Sequence, residues 1–232
     1  AYEICACLVG SEMCIRDMSG LPLAQLLGMA KPGALALAGK VTDSARTIAR
    51  AAGVELVDYF ARPELTVYNA IPTAEGCIGI LLERRSRTLW GVAVLVLGFG
   101  PVGRALAVRL AALGARVTVA ARRPVQRAMA EEQGLQAVPL TDLAAAAAAF
   151  DTVVNTIPAP VLTAAVLAAL PKGCLIVDLA SKPGGTDFAA ARRLGHTALH
   201  ALSLPTVWAP ETAGEALART VQTILQEREE KI

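Results

Sequence analysis

Six residues near the middle of the chain, Gly98, Phe99, Gly100, Pro101, Val102 and Gly103, place glycine at the first, third and sixth positions. The apolar run VAVLVL precedes them, and VGRALAVRLAALG, with apolar residues at helical spacing, follows. A strand, a tight turn and a helix in that order form a cradle for a pyrophosphate. Gly98 permits the turn, Gly100 lets the backbone approach the phosphates, and Gly103 lets the helix pack closely on the strand. The helix N-terminus adds unpaired N–H groups and the positive end of its dipole. The chemistry expected of this cradle is dinucleotide binding.

About twenty residues on, VTVAARRP closes the next strand. Ala121 stands where NAD-binding units carry an acid that accepts from the adenosine ribose, and alanine cannot accept. Arg122 and Arg123 could instead pair with a 2′-phosphate, which favours NADP over NAD. The plain alternative is that both are solvated loop charges before Pro124. An adenosine bound there would direct the nicotinamide toward two later strand ends, NTIPAP and DLASKPGGTDF. Asn155, Thr156, Ile157, Pro158 and Ser181 then become candidate cofactor contacts, unless Asn155 and Thr156 merely bond within a turn. Lys182 is a cation at a strand end, or a surface lysine in a Gly/Pro loop. Asp187 is a base, or the N-cap of a helix over 188–194, and its neighbours favour the cap. Thr73 and Glu75 open an earlier helix. They either cap it or face a cleft between domains as donors or a proton relay. His196 and His200, on or beside the last strand, read as structural.

The elements that must position these groups follow from periodicity. Strands are predicted at about 92–97, 116–120, 135–138, 152–156, 174–179 and 197–201, with helices between them. Together they predict a doubly wound parallel α/β sheet of strand order 3-2-1-4-5-6, a Rossmann domain over 91–210. Upstream, 35–41 and 54–60 read as strands. A helix over 43–53 lies between them, with Asp43 or Ser44 as N-cap and Gly53 after its end. This is βαβ material too short for a domain, and 18–68 is expected to be the remnant of a truncated α/β domain. Asn69, Pro72 and Thr73 look like the start of a connecting helix over 69–90. A last helix is expected at 211–229, within a C-terminal segment 211–232.

Of 232 residues 54% are hydrophobic and 18% charged, enough apolar material for one large or two small domains. A net charge of +2 gives no reason to expect nucleic acid or an acidic membrane as partner. No apolar run approaches the length of about 20 residues that spans a bilayer, so a cytoplasmic protein is expected. Cys5, Cys7, Cys14, Cys77 and Cys174 form no CxxC pair, so no metal site is expected. Cys77 and Cys174 lie in apolar runs and read as inert core thiols. Residues 1–17 lack helical or strand period and are expected to be a non-native or disordered tail, with a natural N-terminal portion missing.

Taken together, NAIPTAEG, VLVLGFGPVGRALA, VVNTIPAPVL, LIVDLASKPGGTDF and WAPETAG resemble the dipicolinate synthase A-subunit family across about residues 35–228. The resemblance implies an enzyme that oxidises dihydrodipicolinate to dipicolinate in spore-forming bacteria. It implies a dicarboxylate substrate held by Lys182, and a partner in the second, B subunit; a homo-oligomer is a further expectation. One departure stands out. The family tends to carry Gly-Leu-Pro-Gly after the sixth strand, and here Ser203, Leu204, Pro205 and Thr206 stand there. The family is in turn similar to D-2-hydroxyacid dehydrogenases. In those enzymes an Arg occupies the place of Lys182, and a general-base His occupies the place of Val207. Without that His, alcohol–ketone interconversion is poorly served. Two further readings therefore stay open: a stand-alone hydroxyacid dehydrogenase relative, and a non-catalytic nucleotide-binding subunit.

Overall fold

The computed structural model describes residues 22–230 and the backbone of a two-residue strand, β1 (Cys5–Ala6). The rest of the expected tail over 1–17 lies outside the described residues. Among those described, the residues up to Tyr68 and from Glu211 onward form one compact unit, and Asn69–Pro210 form another.

The first unit continues through α1 (Leu23–Gly28), β2 (Leu35–Ala38), α2 (Asp43–Ala51) and β3 (Glu55–Asp58). Its three strands are parallel in the order β1-β2-β3. Side chains alternate across a strand, so β2 feeds two cores. Leu35 and Leu37 pack with Tyr59, Leu65, Ala216 and Ile224. Ala36 packs on the other face with Leu27, Ala49 and Val54. The expected N-cap of α2 is corrected by one or two residues. Thr42 is in extended conformation and its hydroxyl accepts from the Ala45 N–H at 3.2 Å, so Asp43 and Ser44 lie inside the first turn. The second strand is also shorter than predicted, because Asp58 turns its carboxylate onto the Phe60 N–H and starts a 3-10 turn over Tyr59–Ala61.

Helix α3 (Pro63–Arg84) leaves this unit at residue 68 and enters the other. The expected start at Asn69–Thr73 is wrong by two turns. Pro63 and Glu64 carry the start signals, a proline at the first position and an acid in the first turn. Pro72, which resembles a start, lies in the helix interior. The expectation that no apolar stretch is long enough to span a bilayer also needs correction. Helix α3 has that length and composition, with a mean hydropathy of 1.3. Its apolar face is committed to protein cores: Leu65 in the first unit, Ala74, Cys77 and Leu81 in the second.

The second unit runs β4 (Ala93–Leu97), α4 (Pro101–Ala112), β5 (Arg116–Ala121), α5 (Pro124–Glu132), β6 (Gln136–Pro139), α6 (Leu143–Ala146), β7 (Thr152–Asn155), α7 (Ala164–Ala169), β8 (Leu175–Asp178), α8 (Phe188–Arg193), β9 (Thr197–His200) and α9 (Leu204–Trp208). Six parallel strands lie in the order β6-β5-β4-β7-β8-β9, the doubly wound order expected from the sequence. Alternate residues feed opposite faces, which is why the strands read as unbroken apolar runs. Val94 and Val96 pack with Leu106 and Leu110 of α4. Leu95 and Leu97 pack with Leu143, Leu162 and Leu167. Trp208, from the short helix α9, lies on α3 where two glycines leave room. A methyl group at Gly79 would sit 2.4 Å from the indole, and one at Gly76 would sit 3.0 Å from it. That contact joins the NAIPTAEG and WAPETAG stretches in one packing arrangement. Helix α10 (Pro210–Glu229) then returns to the first unit, where Glu227 holds Arg62 by two bonds of 2.8 and 2.6 Å.

Candidate functional site

Parallel α/β sheets bind ligands beyond the C-terminal ends of their strands, and the second unit has its chemistry there. A cavity of about 760 Å³ opens at the other end, lined by Arg85, Arg87, Trp90, Arg116 and Asp151 near the starts of β4, β5 and β7. It is far along the strands from the glycine turn, and the strand-end rule assigns the site to the turn.

The turn is built for close approach. Gly98 sits at φ +91°, a left-handed conformation, and a methyl group there would meet the Thr156 hydroxyl at 2.6 Å. At Gly103 a methyl group would meet the Gly98 carbonyl at 2.2 Å, whereas around Gly100 no atom lies within 4 Å. The open space is at the glycine expected to face phosphate. Gly100 is also the N-cap of α4, Pro101 follows it in the first turn, and no side chain caps the helix. These features fit a dinucleotide pyrophosphate: backbone exposed, helix N–H groups uncapped, no carboxylate in the turn. Phe99 is buried in the core and Val102 half-buried, so both shape the turn from behind.

At the end of β5 the methyl of Ala121 is buried in the core, 1% exposed, and Arg122 and Arg123 are the first exposed side chains beyond it. Arg127 was not singled out from the sequence. Its guanidinium donates to the carbonyls of Ala121 and Arg122, both at 3.1 Å, and holds the loop that carries the two arginines.

Three strand ends lie in register beyond the turn: Asn155 of β7 beside Asp178 of β8, and Asp178 beside His200 of β9. Asp178 is fully buried and was also missed by sequence reasoning, which read it as the last residue of an apolar strand. One carboxylate oxygen accepts from the Asn155 side-chain amide at 2.9 Å and the Ala180 N–H at 3.0 Å. The other accepts from the Gly185 N–H at 2.8 Å and the Thr186 hydroxyl at 2.6 Å. His200 donates through Nε2 to the Ala180 carbonyl at 2.8 Å, and its ring lies against Phe188. His196 likewise bonds a backbone carbonyl, that of Leu167 at 2.9 Å. Both histidines therefore fill structural places.

The remaining candidates fall in several settings. Ser181 and Lys182 are exposed on the loop that Asp178 holds. Pro158 is exposed and Ile157 half-buried on the neighbouring loop, where the Asn155 side chain bonds both the N–H and the carbonyl of Ile157 at 3.0 Å. The Thr156 hydroxyl donates to the Leu97 carbonyl at 2.7 Å, under the glycine turn. Asp187 caps α8, accepting from the Ala190 N–H at 2.8 Å. In α3 the Thr73 hydroxyl donates to the Asn69 carbonyl at 2.6 Å, and Glu75 pairs with Arg109 at 3.7 Å on the surface. Neither caps the helix, which begins ten residues before Thr73. Among the described residues no group of three His, Cys, Asp or Glu side chains comes together to hold a metal ion.

With this geometry the chain was compared with known proteins. Residues 80–182 match the family model of the D-isomer specific 2-hydroxyacid dehydrogenase NAD-binding domain. The chain is 41% identical over 180 residues to the dipicolinate synthase A subunit of Bacillus subtilis (strain 168), a match covering 78% of this chain and 61% of that protein. The chain thus spans about three-fifths of the length of that relative. The crystal structure of the dipicolinate synthase A subunit from Bacillus halodurans superposes with a TM-score of 0.82 at 37% identity, covering 87% of this chain and 69% of that one. The crystal structure of its Bacillus subtilis counterpart superposes at 0.84 with 36% identity, covering 90% and 70%.

Proposed function

The chain belongs to the dipicolinate synthase A-subunit family, and from that membership we propose that it serves an NADP-dependent oxidation of dihydrodipicolinate to dipicolinate. The observation that carries the reading is one strand edge. It sets an open glycine turn, two exposed arginines and a lysine-bearing loop along neighbouring strand ends.

Each residue has a part that its position supports. Gly98, Gly100 and Gly103 with the first turn of α4 hold the pyrophosphate. Arg122 and Arg123 pair with a 2′-phosphate, held in place by Arg127. Asn155, through Ile157, shapes the wall beside the nicotinamide. Lys182 draws a substrate carboxylate toward the strand edge, which orients the ring and lowers the entropic barrier. When bound, the cofactor supplies the acceptor for one hydride, and the proton lost from the dihydropyridine leaves to water or to a base. Aromatisation favours that loss, so a strong general base is not required. Val207, at the place where hydroxyacid dehydrogenases carry a histidine, is an exposed aliphatic side chain, which speaks against a hydroxyacid substrate. The family name further supports a partner in the B subunit and a cytoplasmic role in making the dicarboxylate of spores.

Steady-state rates with dihydrodipicolinate and NADP, with the partner subunit supplied, test the reading. Lys182→Ala is expected to raise KM for the dicarboxylate about tenfold or more, the worth of a charge-assisted contact. Turnover of simple 2-keto acids instead would favour a stand-alone dehydrogenase. Wild-type rates in Lys182→Ala would favour a nucleotide-binding subunit without a catalytic part.

A further inference from the structure

Asp178 is a buried carboxylate with four donors and, among the described residues, no cation paired to it. A carboxylate taken out of water is tolerated only where its lone pairs are met, and here each oxygen meets two donors. The donors come from both sides of the strand edge. Asn155 belongs to the end of β7, while Ala180, Gly185 and Thr186 belong to the loop after β8. The two loops are then laced together. The N–H groups of Val161 and Leu162 donate to the Gly185 carbonyl at 3.0 and 2.9 Å, and the Asp187 N–H donates to the Leu162 carbonyl at 3.0 Å.

The paired glycines of the SKPGGTDF stretch are explained by the same carboxylate. A methyl group at Gly185 would lie 2.5 Å from the Ala159 carbonyl and from the Asn155 amide. One at Gly184 would lie 3.1 Å from the Asp178 carboxylate and 3.3 Å from the His200 ring. Only a bare backbone can fold down far enough to be bonded. Lys182 stands on the turn between Ala180, which is bonded, and Gly185, which is bonded, so its position follows from where Asp178 holds both ends.

We infer that Asp178 is the positioning residue of this edge. One buried carboxylate fixes the Lys182 loop directly and the Asn155–Pro158 loop through the Asn155 amide, and so sets the nicotinamide and substrate end of the site while leaving the adenosine end alone. The inference rests on reading this edge as the nicotinamide and substrate end. Asp178→Asn is the sharp test, because it keeps the shape and replaces one accepting oxygen by an amide that faces two donors.

Calorimetry on the wild type and Asp178→Asn separates the two ends. NADP is compared with its adenosine half, 2′,5′-ADP, or NAD with ADP-ribose if the wild type binds NAD more tightly. Dipicolinate is then titrated into the dinucleotide complex. Asp178→Asn is expected to bind the adenosine half within twofold of wild type, which also shows that it is folded, and to bind the dinucleotide and dipicolinate at least tenfold more weakly. Thr186→Val, which removes one donor, is expected to weaken both by a smaller factor, and Thr186→Ser to restore them. Wild-type affinities in Asp178→Asn overturn the inference, as does an equal loss for the adenosine half, and neither outcome touches the proposed function. A wild type that binds dinucleotide but no dipicolinate overturns the proposed substrate, and the inference then stands or falls on the dinucleotide alone. A wild type that binds no dinucleotide overturns both.

Discussion

Arg122 leaves β5 with its side chain in solvent, while Ala121 before it is packed in the core. If the exposed guanidinium pairs with a 2′-phosphate, reversing its charge must cost NADP and spare NAD. Arg122→Asp is expected to weaken NADP binding at least tenfold in calorimetry, since it removes a charge-assisted contact and adds repulsion, and to leave NAD binding within a few-fold. Equal changes for both dinucleotides would show the arginine to be plain surface charge. At this scale the sequence was readable where a residue acts through its own type and spacing. The glycines of the turn and the capping Asp187 are of that kind. It was unreadable where a residue acts through partners brought by folding. Asp178 looks like the last residue of an apolar strand, and its partners lie from two to 23 residues away. Arg127 looks like an ordinary helix charge, and only the turn of the chain shows it clamping the loop before its own helix.

Ser203, just before α9, is held at φ +57°, in the left-handed region that favours glycine. The family pattern has glycine there, and the departure noted in the sequence therefore has a local cost. Ser203→Gly is expected to stabilise the second unit by about 1 kcal/mol, measured as a rise in the urea midpoint. A lower midpoint would contradict it. A second element-scale expectation concerns Cys77 on α3 and Cys174 before β8. Burial pushes both thiols up from 9.0 to about 12. A raised thiol contributes stability that is whole below pH 9 and is lost as pH rises toward about 12, because the unfolded chain gives up its protons first. The Cys77→Ala/Cys174→Ala variant is expected to lose stability less steeply than wild type between pH 9 and 11 in urea titrations. Parallel slopes would show that the thiols stay uncoupled from folding. The strands were legible as elements because two-sided burial leaves unbroken apolar runs between glycine and helix signals. Helix α3 was misread at its start because Pro72 imitates a first-turn proline, while packing on both units carries the helix through it. Helix α9 was not read at all. It has five residues, no side-chain cap, and a purpose visible only once Trp208 is seated on Gly76 and Gly79.

On the scale of the whole molecule, two compact units are joined by α3 and by α10, and the proposed dinucleotide cradle lies wholly within the residues of one of them. Cofactor binding should therefore stabilise that unit by mass action. At a hundredfold excess over Kd the gain is about 2.7 kcal/mol, read as a rise in the thermal midpoint of the second unit. Turnover asks for more, since substrate, cofactor and partner subunit must meet at one edge. The measurement that reaches the central claim most directly follows NADPH and dipicolinate together as dihydrodipicolinate is consumed, with the partner subunit present. One NADPH formed for each dipicolinate, both lost in Asp178→Asn and slowed in Lys182→Ala, is the predicted result. Dipicolinate appearing at the same rate without any nicotinamide cofactor, or NADPH appearing without dipicolinate, would contradict the account.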